Sequence, residues 1–192
     1  MSHFFAYLSR MRLIRRWGLM RSHQPENIQE HSHRVAALAH ALATLRNVRH
    51  GGGLRPERAA FLALFHDAGE TMTGDLPTPV KNFNPAIREA YHGIEAEARR
   101  SLLAMLPADL RPAYEAAFQP EDADRGEWET VQAADKLCAW IKCVEERRGG
   151  NPEFLHAERA LKDSLDALGL PEVGDFMREF GPSFGLTLDE LG

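Results

Sequence analysis

The sequence predicts an all-α fold, arranged as a helical bundle in one domain that spans residues 1–192. Ala and Leu together number 49, whereas Val and Ile number 11, and such an excess of helix formers argues against a substantial β-sheet. Apolar residues recur every three or four positions in several stretches, and no convincing strand-like alternation appears. A chain of this length can bury one core, and no linker or repeat divides it.

Six stretches of helical spacing predict the main helices. Their apolar stripes run, in order, through residues 4–11, 35–45, 59–63, 94–105, 131–141 and 154–168. Shorter helices are expected near residues 109–118 and 173–180. Glycine and proline clusters predict the breaks between them, at 51–53, 77–85, 107, 149–152 and 181–182. The most irregular connection, 71–85, holds three prolines directly after a His-Asp pair, and loops of this length are often functional.

Charge and hydropathy exclude several classes of protein. The 23 Lys and Arg against 28 Asp and Glu give a net charge of −5, and no sustained basic helix appears, so a nucleic-acid polymer is not the expected partner. The longest apolar run, Ala59–Phe65, is far shorter than the roughly 20 residues that a membrane span needs. The arginine-rich N-terminus does not resemble a secretory signal. Cys138 and Cys143 point to different sides of a helix, which disfavours a disulfide. We therefore expect a cytoplasmic protein without a membrane partner.

Four residues with metal-binding side chains are predicted to face one core. His31 and His66 lie on the inward faces of two helices, and Asp67 follows His66 directly. Asp135 lies on or beside the apolar stripe of a third helix. A buried carboxylate needs a cation, a hydrogen-bond network or a raised pKa, and a divalent transition ion held by two imidazoles and two carboxylates would compensate both acids. For each residue taken singly, satisfied core polarity is the alternative.

The order His31, His66-Asp67 and Asp135 on successive helices resembles the H…HD…D signature of the HD-domain metal phosphohydrolases. Further stretches resemble the bacterial 5′-deoxynucleotidases of the YfbR type, from the first residues to nearly the last. These stretches are Ser2–Ala6, Arg16-Trp17, Glu26-Asn27 before Glu30–Ser32, Phe65–Ala68, Thr73–Lys81, Gln132–Asp135 and Pro182–Phe184. The resemblance implies an HD-type bundle that hydrolyses deoxyribonucleoside 5′-monophosphates to deoxynucleoside and phosphate. It also implies one divalent metal ion, such as Co, Mn or Zn, and a homodimer.

The resemblance assigns roles to further residues. Glu70 and Asp75 would orient water and supply the proton to the leaving oxygen, although the sequence does not decide which acid does which. Glu70 follows His66 by four residues, so we expect it one helical turn along on the same face.

Substrate binding is carried over in the same way. Arg16 and Trp17 would contact phosphate and deoxyribose, since a guanidinium binds phosphate oxygens and an indole offers a flat wall with one N–H donor. Asp75 would line the same site, and Lys81 and Thr78 are weaker candidates.

Two other functions stay open at this point. One is another HD-type nucleotide phosphohydrolase, either a phosphodiesterase or a deoxynucleoside triphosphate hydrolase. The other is a non-catalytic metal-binding module in which the ion serves stability alone.

Overall fold

A computed structural model describes residues 1–119 and 121–192 and confirms the all-α class. Within these residues the chain forms ten α-helices, and a single antiparallel bridge joins Arg15 to Asn27. The helices are α1 (Phe4–Leu8), α2 (Ile28–His50), α3 (Pro56–Phe65), α4 (Glu70–Thr73), α5 (Thr78–Lys81), α6 (Pro85–Ala104), α7 (Arg111–Phe118), α8 (Arg125–Arg148), α9 (Leu155–Asp166) and α10 (Pro171–Glu179). Short 3₁₀ helices lie at Ser9–Leu13, Asp122–Asp124, Pro152–Phe154, Gly181–Gly185 and Leu188–Glu190.

Helix α2 is the central element of the bundle. It packs against α3, α8 and α10, and α3 and α8 also contact each other. Val35, Leu38 and Leu42 recur at helical spacing on the inward face of α2 and are buried. Burial of each such side chain contributes about 2 kcal/mol to folding, so the three-helix contact fixes the relative positions of α2, α3 and α8.

The first turn of α2 is set by a capping box. Asn27 Oδ1 accepts hydrogen bonds from the backbone N–H groups of Gln29 and Glu30, and the Glu30 carboxylate accepts one from the backbone N–H of Asn27. At its other end α2 stops at Gly51, whose φ of +66° suits glycine. The cap places His31 in the first turn of α2, fully buried.

Three details differ from the sequence prediction. The N-terminal stripe 4–11 is split, because α1 ends at Leu8 and a 3₁₀ helix follows. The side chain of Ile94 is 55% exposed, so the inward stripe predicted for 94–105 is wrong at its first residue. The segment 71–85 contains one-turn helices, α5 and most of α4, at places where only an irregular loop was expected.

Two other sequence expectations can be compared with the structure. Cys138 and Cys143 are buried free thiols, in line with the expected absence of a disulfide. Among the described residues, no helix has both the length and the apolar character needed to cross a bilayer.

A buried ion pair ties the segment after Trp17 to α8. The Glu146 carboxylate accepts hydrogen bonds from the backbone N–H groups of His23 and Gln24, at 2.9 and 3.0 Å, and from Asn151 Nδ2 at 2.8 Å. Lys142 Nζ donates to the same carboxylate and to the Gln24 carbonyl. Burial opposes the charge on Glu146, but these donors outweigh it and lower its pKa from 4.5 to about 2. The segment that leads from Trp17 to α2 is therefore fastened by a charged clamp.

The clamp predicts an acid-dependent loss of stability. A carboxyl with a lowered folded-state pKa stabilises the fold above its unfolded-state pKa, and it loses that contribution as pH falls through its folded-state pKa. A change from 4.5 to about 2 corresponds to roughly 3 kcal/mol. We expect the difference in unfolding free energy between wild type and Glu146→Gln to be large at pH 6 and to shrink towards pH 2, measured by urea denaturation. Glu129→Gln, at an exposed position of the same helix, is the control. A pH-independent difference would contradict this account.

Candidate active site

Three helices bring the predicted metal ligands together. His31 lies in the first turn of α2, His66 and Asp67 directly follow α3, and Asp135 lies in the middle of α8. His31 Nε2 is 3.0 Å from Asp135 Oδ1 and 3.6 Å from Asp67 Oδ2. His66 Nε2 is 3.2 Å from the same Asp67 oxygen. Residues that are 104 positions apart in the chain thus converge on one point.

The two imidazoles present unpartnered nitrogens to this point. His66 Nδ1 is 2.7 Å from the Ala63 carbonyl oxygen, so this nitrogen carries the proton that it donates and Nε2 faces Asp67. Within the described part of the chain, no group forms a hydrogen bond of good geometry with the buried Nε2 atoms of His31 and His66. Unpartnered nitrogens beside carboxylate oxygens form a set of ligand atoms that fits a divalent cation.

The ionisation of these groups is balanced before any cation binds. Burial opposes protonation of His66, but Asp67 and Asp135 outweigh it and raise the pKa of His66 to about 9, so a cation bound here would displace a proton from this imidazole. Burial lowers the pKa of His31, which keeps its imidazole neutral. Burial opposes ionisation of Asp67, but His66, His31 and Arg16 outweigh it and hold its pKa below the ordinary value. Burial opposes ionisation of Asp135 as well, but His31 and His66 lower its pKa. The Asp135 side chain is 42% exposed, so the site opens towards solvent beside this residue.

A competing cluster shares His31. One potential ligand atom each from Glu26, His31 and Cys138 lies within 4.8 Å of the others, as is also true of His31, His66 and Asp67. A cysteine ligates metals as the thiolate, and burial raises the pKa of the Cys138 thiol far above neutrality. The Glu26 carboxylate is already paired with Arg16. The chemistry of the donors therefore favours the cluster of two histidines and two aspartates.

Arg16 joins the carboxylates of Asp67 and Asp135 to that of Glu26. Its Nε lies 3.2 Å from Glu26 Oε2, its Nη1 lies 3.3 Å from Asp67 Oδ2, and its Nη2 lies 4.0 Å from Asp135 Oδ1. Burial alone would lower the pKa of Arg16, but the three acids outweigh it and raise the pKa. The guanidinium is thus a positive charge held in place beside the two histidines and two aspartates.

Trp17 has an unusual backbone and an occupied indole nitrogen. Its φ is +61°, the one positive value at a non-glycine position among residues 1–119 and 121–192. The indole Nε1–H donates to Glu26 Oε2 at 3.0 Å, and the ring packs against Phe154 with 5.3 Å between centroids. The sequence prediction treated this N–H as a hydrogen-bond donor to a ligand, whereas in the structure it already donates to Glu26.

Glu70, like Glu26, is a buried acid of the site. It begins α4, and residues 67–69 form turns rather than helix, so the expectation of one continuous helix from His66 to Glu70 is wrong. None of the described groups forms a hydrogen bond with its buried Oε2. Burial, with the charges of Asp67 and Asp75, raises the pKa of Glu70 to about 8. A carboxyl in this state holds a proton at neutral pH.

The remaining predicted residues lie on the segment 71–85. Lys81 Nζ is 3.5 Å from Glu70 Oε1 and lies over the Tyr91 ring, 4.9 Å from its centroid. Asp75 is half-buried, and burial raises its pKa even though Arg16 and Lys81 oppose that change. Thr78 is exposed at the start of α5. Lys81 thus lies beside Glu70, and the charge of Arg16 acts on Asp75. Within the described residues, no ion pair or hydrogen bond connects Thr78 to these groups.

Glu26 is a site residue that no sequence pattern predicted. Glu26 directly precedes the Asn27 cap and faces Arg16 across the backbone bridge, where the Arg16 N–H donates to the Glu26 carbonyl at 3.0 Å. No helical or strand periodicity covers this bend, so no sequence pattern would have indicated the contact.

Comparison with known proteins identifies the family. The family model described as "5′-deoxynucleotidase YfbR-like" matches residues 3–184. The chain belongs to the YfbR-like 5′-deoxynucleotidase family. A 5′-deoxynucleotidase of Vibrio cholerae is 50% identical over 190 residues, which cover 99% of this chain and 98% of that protein. One from Erwinia tasmaniensis is 49% identical and covers 99% and 96%.

Solved structures show the HD fold. An HD-domain phosphohydrolase from Listeria innocua has a TM-score of 0.79 at 22% identity, covering 95% of this chain and 88% of that chain. The HD phosphohydrolase of cyanophage S-2L, in a structure bound to dA and one catalytic Zn²⁺ ion, has a TM-score of 0.62 at 24% identity, covering 95% and 96%. At these identities the likeness establishes the fold, and this YfbR-like chain therefore has the HD-type bundle that the resemblance implied.

The geometry predicts which residues control metal affinity. In chelator-stripped protein, Asp67→Asn should weaken binding of Co²⁺ or Zn²⁺ by at least about 10-fold, because it removes one ligand charge beside two imidazoles. A saturating ion should also raise the unfolding free energy of the wild type, by about 2.7 kcal/mol at 100 times Kd. Titration calorimetry and thermal denaturation measure the two effects.

His33→Ala is the matched control, because His33 is exposed on the same helix two residues after His31. Equal metal affinity in Asp67→Asn and the wild type would remove Asp67 from the ligand set.

Proposed function

We propose that this protein is a metal-dependent phosphomonoesterase that hydrolyses deoxyribonucleoside 5′-monophosphates to deoxynucleoside and phosphate. The observation that carries the proposal is the convergence of two unpartnered imidazole nitrogens with Asp67 and Asp135, beside the buried guanidinium of Arg16. The full-length similarity to proteins named 5′-deoxynucleotidase supports the same activity. Glu70, with its raised pKa and with no hydrogen bond to Oε2 from the described residues, favours catalysis over a purely structural metal site.

We infer one divalent ion, held by His31, His66, Asp67 and Asp135. Two nitrogen and two carboxylate oxygen ligands suit borderline ions such as Co²⁺, Mn²⁺ or Zn²⁺. When bound, such an ion supplies Lewis acidity towards phosphate oxygen and towards water.

The chain's own residues account for binding and orientation. Arg16 places a positive charge where the phosphate must lie, and its contacts with Glu26 and Asp67 prevent it from reorienting. The Trp17 ring, held against Phe154, would form the wall on the sugar side. Lys81 offsets the negative charge that Glu70 would carry after losing a proton.

The proton balance assigns a role to Glu70. Hydrolysis breaks the bond between phosphorus and O5′, forms a bond from phosphorus to the oxygen of a water molecule, and requires a proton on the departing O5′. That water keeps one proton in the phosphate product and releases the other, which restores the proton of the donor. Glu70 holds a proton at neutral pH, so we propose it as the donor to O5′. Asp75, also with a raised pKa, is the candidate that orients the water. The contribution of Thr78, the homodimer and the cytoplasmic location stay predictions.

Phosphate release tests the proposed activity. With Co²⁺, Mn²⁺, Mg²⁺ or Zn²⁺ supplied in turn, we expect phosphate from 5′-dAMP, little from 5′-AMP or 3′-dAMP, and none after chelation. Deoxynucleoside triphosphates and cyclic nucleotides in the same panel cover the other HD-type activities. Asp67→Asn should abolish turnover, because the site loses a charge that holds its cation. Release from all three monophosphates without metal would refute the proposal.

The pH profile tests the role of Glu70. A proton donor must be protonated to act, so kcat should fall as pH rises through its pKa. A bound cation favours the carboxylate, so this fall should lie at or below pH 8. Glu70→Gln should lower kcat by about 100-fold to 10,000-fold and abolish this limb, while metal affinity is retained. Asp75→Asn should keep the limb. A basic limb that persists in Glu70→Gln would assign the proton to another group.

A further inference from the structure

One carboxylate oxygen of Glu26 holds both residues that the proposed function assigns to the substrate. Glu26 Oε2 accepts hydrogen bonds from Trp17 Nε1 at 3.0 Å and from Arg16 Nε at 3.2 Å. Glu26 is only 7% exposed, so this oxygen lies beneath the two side chains rather than in solvent. A shift of Glu26 would therefore move the guanidinium and the indole together.

The conformation of Trp17 requires such support. A bulky residue with φ of +61° stores about 1 to 3 kcal/mol of backbone strain and persists only where its surroundings fix it. The Glu26 hydrogen bond and the contact with Phe154 hold the indole, and the backbone pairing of Arg16 with Glu26 holds the adjoining residue. Glu26 thus takes part in both the side-chain and the backbone contacts that hold Arg16 and Trp17.

The direction of the indole N–H bears on sugar choice. An N–H that donates to a buried carboxylate is not available to a ligand, so a hydroxyl placed against Trp17 meets a wall without that donor. Binding a hydroxyl there costs free energy, because the hydroxyl loses its hydrogen bonds to water and gains no other hydrogen-bond partner. If the N–H were released, it could donate to the 2′-hydroxyl of a ribonucleotide.

We propose that Glu26 is a positioning residue that sets the preference for 2′-deoxyribose, by occupying the Trp17 N–H and holding Arg16 beside Asp67. The inference rests on the proposed function and adds to it a residue that does not touch the substrate.

The first measurement follows the hydrogen bond itself and needs no turnover. In protein labelled with ¹⁵N at its indoles, the Trp17 N–H resonance is assigned by its absence in Trp17→Phe. We expect this resonance to move and its hydrogen exchange to quicken in Glu26→Ala and in Glu26→Asp, whose shorter side chain cannot reach both donors. Glu26→Gln keeps an acceptor oxygen and should retain most of the protection. Glu129→Ala, at an exposed glutamate, should leave the resonance in place.

The second measurement is the ratio of kcat/KM for 5′-dAMP to that for 5′-AMP. Glu26→Ala and Glu26→Asp should lower this ratio by about 10-fold, the effect of one lost hydrogen-bond discrimination. Glu26→Gln should hold it within about 2-fold. Trp17→Ala should also lower the ratio, and adding Glu26→Ala to it should lower it no further, because Glu26 acts through Trp17. A merely structural role would reduce both substrates' kcat/KM equally.

Three results would overturn the inference. An unmoved Trp17 resonance in Glu26→Asp would refute the contact, even if Glu26→Ala failed to fold. A moved resonance with an unchanged substrate ratio would refute the specificity role and leave the proposed function standing. If the wild type were inactive on 5′-dAMP with every metal, the proposed function and the specificity role would both fail, and only the resonance shift would still establish the contact.

Discussion

The ionised carboxylate of Asp67 is the constraint on which the site depends. An ionised carboxylate with little access to water requires compensation. Asp67 receives it from the charge of Arg16, at 3.3 Å, and from the imidazole nitrogens of His31 and His66, at 3.6 and 3.2 Å. These partners come from the N-terminal segment, the start of α2 and the end of α3. The packing of α2 on α3 and α8 is what brings them within reach. Charge compensation and bundle packing therefore position the site jointly.

The same compensation leaves room for a cation. Arg16 and protonated His66 contribute two positive charges, whereas Glu26, Asp67 and Asp135 contribute three negative ones around them, and the His66 proton would leave when a cation binds. His31 is kept neutral by burial. The surplus negative charge and the unpartnered imidazole nitrogens explain how an acidic protein can bind a phosphate substrate, since the local balance after metal binding, rather than the net charge of −5, decides the attraction.

The helices, and the convergence of His31, His66, Asp67 and Asp135 on one point, were predictable from helical periodicity and from the order of these residues along the chain. Helical periodicity placed His31 and His66 on inward faces, and the pair His66-Asp67 directly after α3 is where the sequence placed it. The turns after α3 were missed, because residues 67–69 contain no proline that would predict a break before Glu70. The exposure of Ile94 was missed because an apolar stripe does not show which part of it is covered. Glu26 was missed because its contacts cross a backbone bridge that no periodicity describes.

The position of the site also depends on a contact outside it, the clamp between Lys142 and Glu146. It fastens the segment after Trp17 to α8, the helix that also carries Asp135.

The metal site formed by two histidines and two aspartates is tested most directly by anomalous diffraction from crystals soaked in Zn²⁺ or Co²⁺. The account predicts one peak about 2.0 to 2.2 Å from His31 Nε2, His66 Nε2 and oxygens of Asp67 and Asp135. A peak between Glu26, His31 and Cys138, or no peak among the four predicted ligands, would contradict it.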